Sequence, residues 1–142
     1  DYFAVIEKEY RDASAQYCLG LEGEIIECMP SDEIAYHCGS KTYTDRAREI
    51  FGKYANDPTL SPNLVSIGIG VSHINRFGEM TEATYKSLVS FVAQLCNEHG
   101  LDPSKDVLRH YDVVGWKKCP KWFVDHPGKW HQFLIDVEEY AE

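Results

Sequence analysis

Two hydrophobic rhythms run along this chain, and the switches between them mark out its elements. The clearest helical rhythm starts at Thr81: Tyr85, Leu88, Val89, Val92, Leu95 and Cys96 recur at helical spacing until Gly100 stops them. From about Pro127, the residues Trp130, Phe133, Leu134, Val137 and Tyr140 share another helical face, with the proline suited to a first turn. Thr44 or Asp45 caps a third helix reaching about Tyr54, with Ala47, Ile50, Phe51 and Tyr54 on one side. Residues 1–11 read as a short helix with Phe3, Ile6 and Tyr10 on a common face.

The other rhythm belongs to strands. Residues 64–71 place β-branched residues between small ones, the pattern of a buried strand, and the small residues predict a close neighbour on that face, substrate being one candidate. Residues 16–21 and 24–29 predict a hairpin turning at Glu22-Gly23 and ended by Pro30. Residues 107–111 predict a short strand, and 31–42 and 56–63 predict loops. Strands alternating with helices, plus one hairpin, predict an α/β (α+β) fold in which a central mixed sheet is flanked by helices.

Composition narrows the function classes. A chain of 142 residues fits one domain, residues 1–142, and can bury roughly two thirds of its unfolded surface. With 44% apolar and 26% charged residues, disorder is not expected. No apolar run is long enough to predict a membrane-spanning helix. The first residues lack a basic stretch, a long apolar run and an initiator Met, so they read as a processed or trimmed start rather than a signal peptide. A net charge of -9 disfavours nucleic acid and anionic membrane surfaces as partners. The five cysteines are widely spaced with no CxxC pair, so neither a zinc ribbon nor a redox dithiol is expected. Cys18, Cys28 and Cys96 are expected as buried thiols acting as small hydrophobes.

Chemistry concentrates in Arg109-His110-Tyr111-Asp112-Val113 and Gly115-Trp116-Lys117-Lys118-Cys119-Pro120. A His leaving a strand end and a Cys before a Pro are both good zinc ligands, and a mixed nitrogen and sulfur set with an open position suits catalysis. Spacing alone is weak evidence, and a surface His with a buried thiol is the plainer reading of it. Lys117 beside a metal would stabilise an oxyanion, although in a run with Lys118 and Lys121 the plain reading is a solvated lysine. His73 follows the central strand within reach of a groove, while His99, His126 and His131 are expected on the surface; none of the four is assigned as a ligand. Trp116 and Trp122 flank the motif, where an aromatic either stacks on sugar or packs in the core.

The motif from Arg109 to Pro120 resembles the C-terminal zinc motif of N-acetylmuramoyl-L-alanine amidases of the phage-lysozyme and peptidoglycan-recognition-protein superfamily. The likeness continues through Leu19-Gly20-Leu21-Glu22-Gly23-Glu24-Ile25-Ile26-Glu27-Cys28-Met29-Pro30, similar to the family's hairpin, and Glu33-Ile34-Ala35-Tyr36-His37-Cys38-Gly39, similar to its substrate-groove loop. Ser66-Ile67-Gly68-Ile69 resembles its central strand and residues 81–100 its covering helix. The resemblance implies a Zn2+ cofactor with His110 and Cys119 as metal ligands, Lys117 assisting catalysis, and His37 touching substrate. It implies hydrolysis of the amide between N-acetylmuramic acid and L-alanine, with peptidoglycan as partner, at the cell wall or outside the cell, by a phage endolysin or a bacterial autolysin.

Four positions depart from the family's pattern. The family's first ligand is a His on a first strand ahead of a helix like residues 1–11, so that strand is expected to be missing. Gln16 stands where a His is frequent, Gly70 stands where many members carry a Glu, and one extra residue separates His110 from Cys119. These departures keep a second reading open, a non-catalytic peptidoglycan-binding module on the same fold. A third reading, a cysteine hydrolase using Cys38 or Cys119 with a His, ranks below both, because adjacent His37 and Cys38 point different ways in an extended segment.

Overall fold

The computed structural model describes residues 3–8, 15–30 and 34–141. Its strands are β1 (Phe3–Lys8), β2 (Tyr17–Leu19), β3 (Ile25–Glu27), β4 (Ser66–Val71) and β5 (Val107–Arg109), in the sheet order β3-β2-β4-β1-β5. Strands β2, β4, β1 and β5 run parallel, and β3 pairs antiparallel with β2 at one edge. The helices are α1 (Asp45–Phe51), α2 (Lys53–Asn56), α3 (Glu82–His99), α4 (Pro103–Asp106), α5 (His110–Val114), α6 (Lys121–Asp125) and α7 (Pro127–Ala141).

Each face of the sheet carries its own core. Ala4, Ile6, Leu19, Ile67, Ile69 and Val71 pack under α3, α6 and α7, with Leu88, Val92, Phe123, Phe133 and Val137 closing over them. Val5 and Leu108 point to the opposite face, where Ala47 and Phe51 of α1 and Val113 and Val114 of α5 cover them. Alternation along β4 explains the arrangement: Ile67, Ile69 and Val71 serve the α3/α7 core, leaving Ser66, Gly68 and Gly70 on the other side. The close neighbour that those small residues predict is the ring of His37, not substrate. A methyl group added at Gly68 would lie 2.6 Å from His37 Cγ.

The helical reading of residues 1–11 is overturned where the structure describes them: residues 3–8 form β1, between β4 and β5, and the rest of that reading lies outside the described residues. Ala4, Val5 and Ile6 are all fully buried, and they divide between the two cores, as residues of a central parallel strand do. The helix-like spacing of Phe3, Ile6 and Tyr10 spans too short a window to separate the two periods. Residues 64 and 65, expected in the strand, belong instead to a 3-10 turn, Pro62–Val65, that leads into β4.

The helix ends are set by the residues the pattern singles out. Thr44 caps α1 by accepting from Ala47 N at 3.0 Å, and its hydroxyl also donates to Asp112 O at 2.5 Å. Gly52 (φ 56°) ends α1 just short of the expected boundary. Thr81 caps α3 by accepting from Thr84 N at 3.0 Å, and Gly100 closes it in the left-handed conformation. The same end of α3 grips the β2–β3 turn: the hydroxyls of Thr81, Thr84 and Ser87 donate to the carbonyls of Leu21, Gly20 and Gly23 at 2.6, 2.7 and 2.6 Å. Among the cysteines, Cys96 is buried, as expected. Cys28 is exposed and Cys18 half-buried, which corrects the reading of both as core thiols: β2–β3 is an edge hairpin whose strands are three residues each, too short to cover them.

Candidate active site

The site is assembled where β5 runs into α5. Arg109, the last residue of β5, forks onto Asp112 one turn later, with Nε to Oδ2 at 3.1 Å and Nη2 to Oδ1 at 2.8 Å. Its backbone N–H adds a third bond to Oδ2 at 2.9 Å, and Nη1 reaches Phe123 O in α6 at 3.0 Å. These bonds fix His110 as the first residue of α5 and tie it to the segment after Pro120. The chain then folds back so that Tyr111 N donates to Cys119 O at 2.8 Å, while Cys119 N donates to Lys117 O at 2.9 Å. The two halves of the motif, His110 and Lys117–Cys119, therefore meet at backbone level.

His110 is 7% exposed, and its Nδ1 is buried without a hydrogen-bond partner among the described residues. Burial, reinforced by the positive charge of Lys117 and by His37, drives its pKa down to about 4, so the ring is neutral at ordinary pH. A neutral imidazole with an unsatisfied buried nitrogen costs free energy unless something accepts that lone pair or proton. Cys119 is buried and Lys117 half-buried beside it. Nitrogen and sulfur donors of this kind suit zinc. Among the described residues, no group of three His, Cys, Asp or Glu comes together at one point.

His37 lies within electrostatic reach of His110 but is only 4% exposed. Its Nδ1 lies 3.1 Å from Ala35 O, and its Nε2 lies 2.8 Å from Ser66 Oγ. A carbonyl only accepts, so a proton on Nδ1 is what Ala35 O can receive, while the Ser66 hydroxyl, with one proton, lies 2.8 Å from both His37 Nε2 and Pro62 O. Burial pushes the pKa of His37 down to about 4, against the opposing pull of Ala35 O. Both ring nitrogens are thus engaged inside the protein, and the ring is a brace between the 34–39 loop and β4. Its neighbour Tyr36 is 76% exposed instead.

Asn63 completes the brace. Its Oδ1 accepts from the backbone N–H groups of His37 and Cys38 at 3.2 and 2.9 Å, and from the Cys38 thiol at 3.3 Å. His37 and Cys38 do not diverge as the extended-segment argument expects, since Cys38 Sγ also lies 3.5 Å from Ser66 Oγ. With Cys38 only 1% exposed, the pair has no access to a substrate. Asn63 and Ser66 escape sequence reading because nothing local marks them; their partners lie far away in the chain. Gln16 likewise serves the sheet: it is 1% exposed, and its Oε1 accepts from Gly68 N at 2.6 Å.

The rim is aromatic. Trp116 is 64% exposed, and its indole N–H donates to Ser40 Oγ at 2.9 Å, which joins the 115–119 loop to the 34–42 loop. Trp122 instead packs partly against the α3/α7 core. His73 hydrogen-bonds Asn75 O at 2.8 Å and lines a small pocket with Pro120 and Lys121, next to Cys119. His99, His126 and His131 are exposed.

The family described as N-acetylmuramoyl-L-alanine amidase matches residues 2–122. The amidase BlyA of Bacillus subtilis (strain 168) is 32% identical over 118 residues, covering 82% of this chain and 31% of BlyA. The chain therefore spans about a third of the length of the curated relatives it matches. The solved catalytic domain of PlyG aligns with a TM-score of 0.69 at 17% identity, over 98% of this chain and 81% of that one. AmiD from E. coli, solved with its substrate anhydro-N-acetylmuramic acid-L-Ala-D-gamma-Glu-L-Lys, aligns with a TM-score of 0.68 at 17% identity, over 95% of this chain and 56% of that one. These two likenesses are of fold.

Proposed function

This chain belongs to the N-acetylmuramoyl-L-alanine amidase family, and on that premise we propose that it hydrolyses the amide joining N-acetylmuramic acid to L-alanine in peptidoglycan. In this reading it works at the cell wall as an endolysin or autolysin. The substrate named for AmiD supports that choice of bond. No described helix is long and apolar enough to cross a membrane.

The observation that carries the reading is the buried Nδ1 of His110, without a hydrogen-bond partner among the described residues, at the backbone junction with Cys119. His110 and Cys119 would hold a zinc ion, and such an ion supplies a polarised carbonyl and a bound water with a pKa near about 7. The fit is to two donors of the roughly three that a catalytic zinc uses. The family resemblance implies a His as the third. Lys117 stabilises the negative charge that develops on the carbonyl oxygen as the amide is attacked. His37 keeps the 34–39 loop seated on β4, so that Tyr36 and Trp116 stand at the rim for the glycan or peptide; its part in substrate binding is this positioning.

The test is product chemistry with metal analysis. Purified cell walls treated with the protein should gain free alanine amino groups without new reducing sugar ends. The variants His110→Ala and Cys119→Ser should each lose bound zinc in elemental analysis. New reducing ends, or full zinc retention in both variants, would defeat the assignment.

Gly70 and Gln16 favour a second reading. Gly70 supplies no carboxylate to orient water, and the Gln16 side chain is committed to Gly68 N. A peptidoglycan-binding module on this fold would be retained by cell walls in a sedimentation assay while releasing no amino groups.

A further inference from the structure

The β2–β3 hairpin carries a feature that the amidase reading does not use. Cys18 and Cys28 bring their sulfurs to 3.3 Å across it. In the antiparallel register Cys18 stands opposite Ile26, and Cys28 N bonds Gln16 O at 2.8 Å, so the two cysteines are diagonal neighbours on one face of the hairpin. Diagonal side chains on antiparallel strands sit near the outer limit of what a disulfide spans, yet here the sulfurs already converge. Closing the bond asks for roughly 1.2 Å of further approach, to the ~2.05 Å of a disulfide. The hairpin can supply it, because β3 is a three-residue edge strand whose Ile25, Ile26 and Glu27 are all exposed. Cys28 is itself exposed, so a dissolved oxidant reaches it directly.

We propose that Cys18 and Cys28 form a reversible disulfide that staples the β2–β3 hairpin, with a low-molecular-weight disulfide such as oxidised glutathione as oxidant. The Cys28 thiolate attacks the glutathione disulfide, a protein–glutathione bond forms, and one glutathione thiolate leaves. The Cys18 thiolate then attacks the Cys28 sulfur, the protein disulfide forms, and the second glutathione thiolate leaves. Each leaving thiolate takes up one of the two protons that the cysteines lose. Two protein thiols are oxidised and one glutathione disulfide is reduced to two thiols, so atoms and electrons balance. The absence of a CxxC pair hides this dithiol in the sequence, because antiparallel pairing rather than local spacing brings the sulfurs together.

The staple has a structural target. The hairpin holds Gln16, which accepts from Gly68 N, and Gly68 is the surface on which the His37 ring rests. Oxidation therefore stiffens the element that leads into the His37 loop. The experiment incubates the folded 142-residue protein with oxidised glutathione, blocks remaining thiols, and maps peptides by mass spectrometry alongside thermal unfolding. Expected is a peptide pair joined through Cys18 and Cys28, two hydrogens lighter than the separate thiol peptides. A Tm several degrees higher should accompany it, both being reversed by dithiothreitol. Cys28→Ser should show neither the link nor the shift, and Cys18→Ser should stop at a stable glutathione adduct on Cys28. A wild-type protein that keeps glutathione on Cys28 while Cys18 stays alkylatable overturns the proposal, as does a cross-link from Cys28 to any other cysteine.

Discussion

A buried histidine ties stability to pH through a single side chain, and His37 is such a residue. Its pKa is driven to about 4 in the folded protein, against about 6.5 for an exposed histidine. Between those values the unfolded chain binds more protons than the folded one, so the stability associated with neutral His37 is complete above about pH 6.5 and lost as pH falls towards 4. The upper bound is about 3 kcal/mol for this residue. Chemical unfolding at pH 7, 5.5 and 4.5 should show that decline, and His37→Asn should flatten part of it while lowering stability at pH 7. An unchanged slope in the variant would remove His37 as the origin. Asp112 makes a second residue-level case. Its side chain is 8% exposed and receives the Arg109 fork, so Asp112→Ala leaves a guanidinium buried without its partner, a loss of about 3–5 kcal/mol. A shift of the urea midpoint smaller than that of an ordinary surface variant would contradict the geometry. At this scale His110, Lys117 and Cys119 stood out as candidates because one contiguous motif carries them, and His37 because the 33–39 loop resembles a family segment. Asn63 and Ser66 did not, since hydrogen-bond partners distant in sequence leave no periodic trace, and the Arg109–Asp112 fork, only three residues apart, lay inside that motif without being read from it.

At the scale of elements, legibility followed length and punctuation. Helices α3 and α7 run for four to five turns with a proper start signal, a Thr cap for α3 and a Pro for α7, so their faces could be read from spacing alone. Strand β1 could not, because three consecutive buried apolar residues fit a buried helix turn as well as a two-sided strand. Two measurements belong here. Thr81→Ala removes both the α3 cap and the hydroxyl that holds Leu21 O, and should lower stability by about 1–2 kcal/mol, with faster amide exchange in the β2–β3 turn. Exchange confined to α3 would show that the turn is held by other means. For β1, amides of Val5 and Ile6 should exchange slowly and show cross-strand contacts to Ile67, Ile69 and Leu108; helical sequential contacts over residues 3–8 would restore the sequence-based reading.

At the scale of the whole molecule, fold and metal capacity come apart. The sheet and both cores are complete enough among the described residues to seat His110 and Cys119, but a catalytic zinc is held by about three protein groups, and two leave its geometry loose. Gly70 adds no carboxylate to orient a nucleophilic water. The 142-residue chain should therefore bind zinc below one equivalent after dialysis and clear cell-wall suspensions slowly, with little gain from added zinc. Saturating zinc should fill this loose two-donor site, and dialysis against a chelator should empty it. Elemental analysis reads that change independently of activity. One equivalent of zinc retained through dialysis would mean that a further group of this chain completes the set, with His73, beside Pro120, as the first residue to substitute. Full zinc with no release of alanine amino groups would separate metal binding from hydrolysis and point to Gly70 as the missing function. Gly70→Glu should then recover turnover, because the position lies on β4, on the sheet face opposite the Ile67, Ile69 and Val71 core.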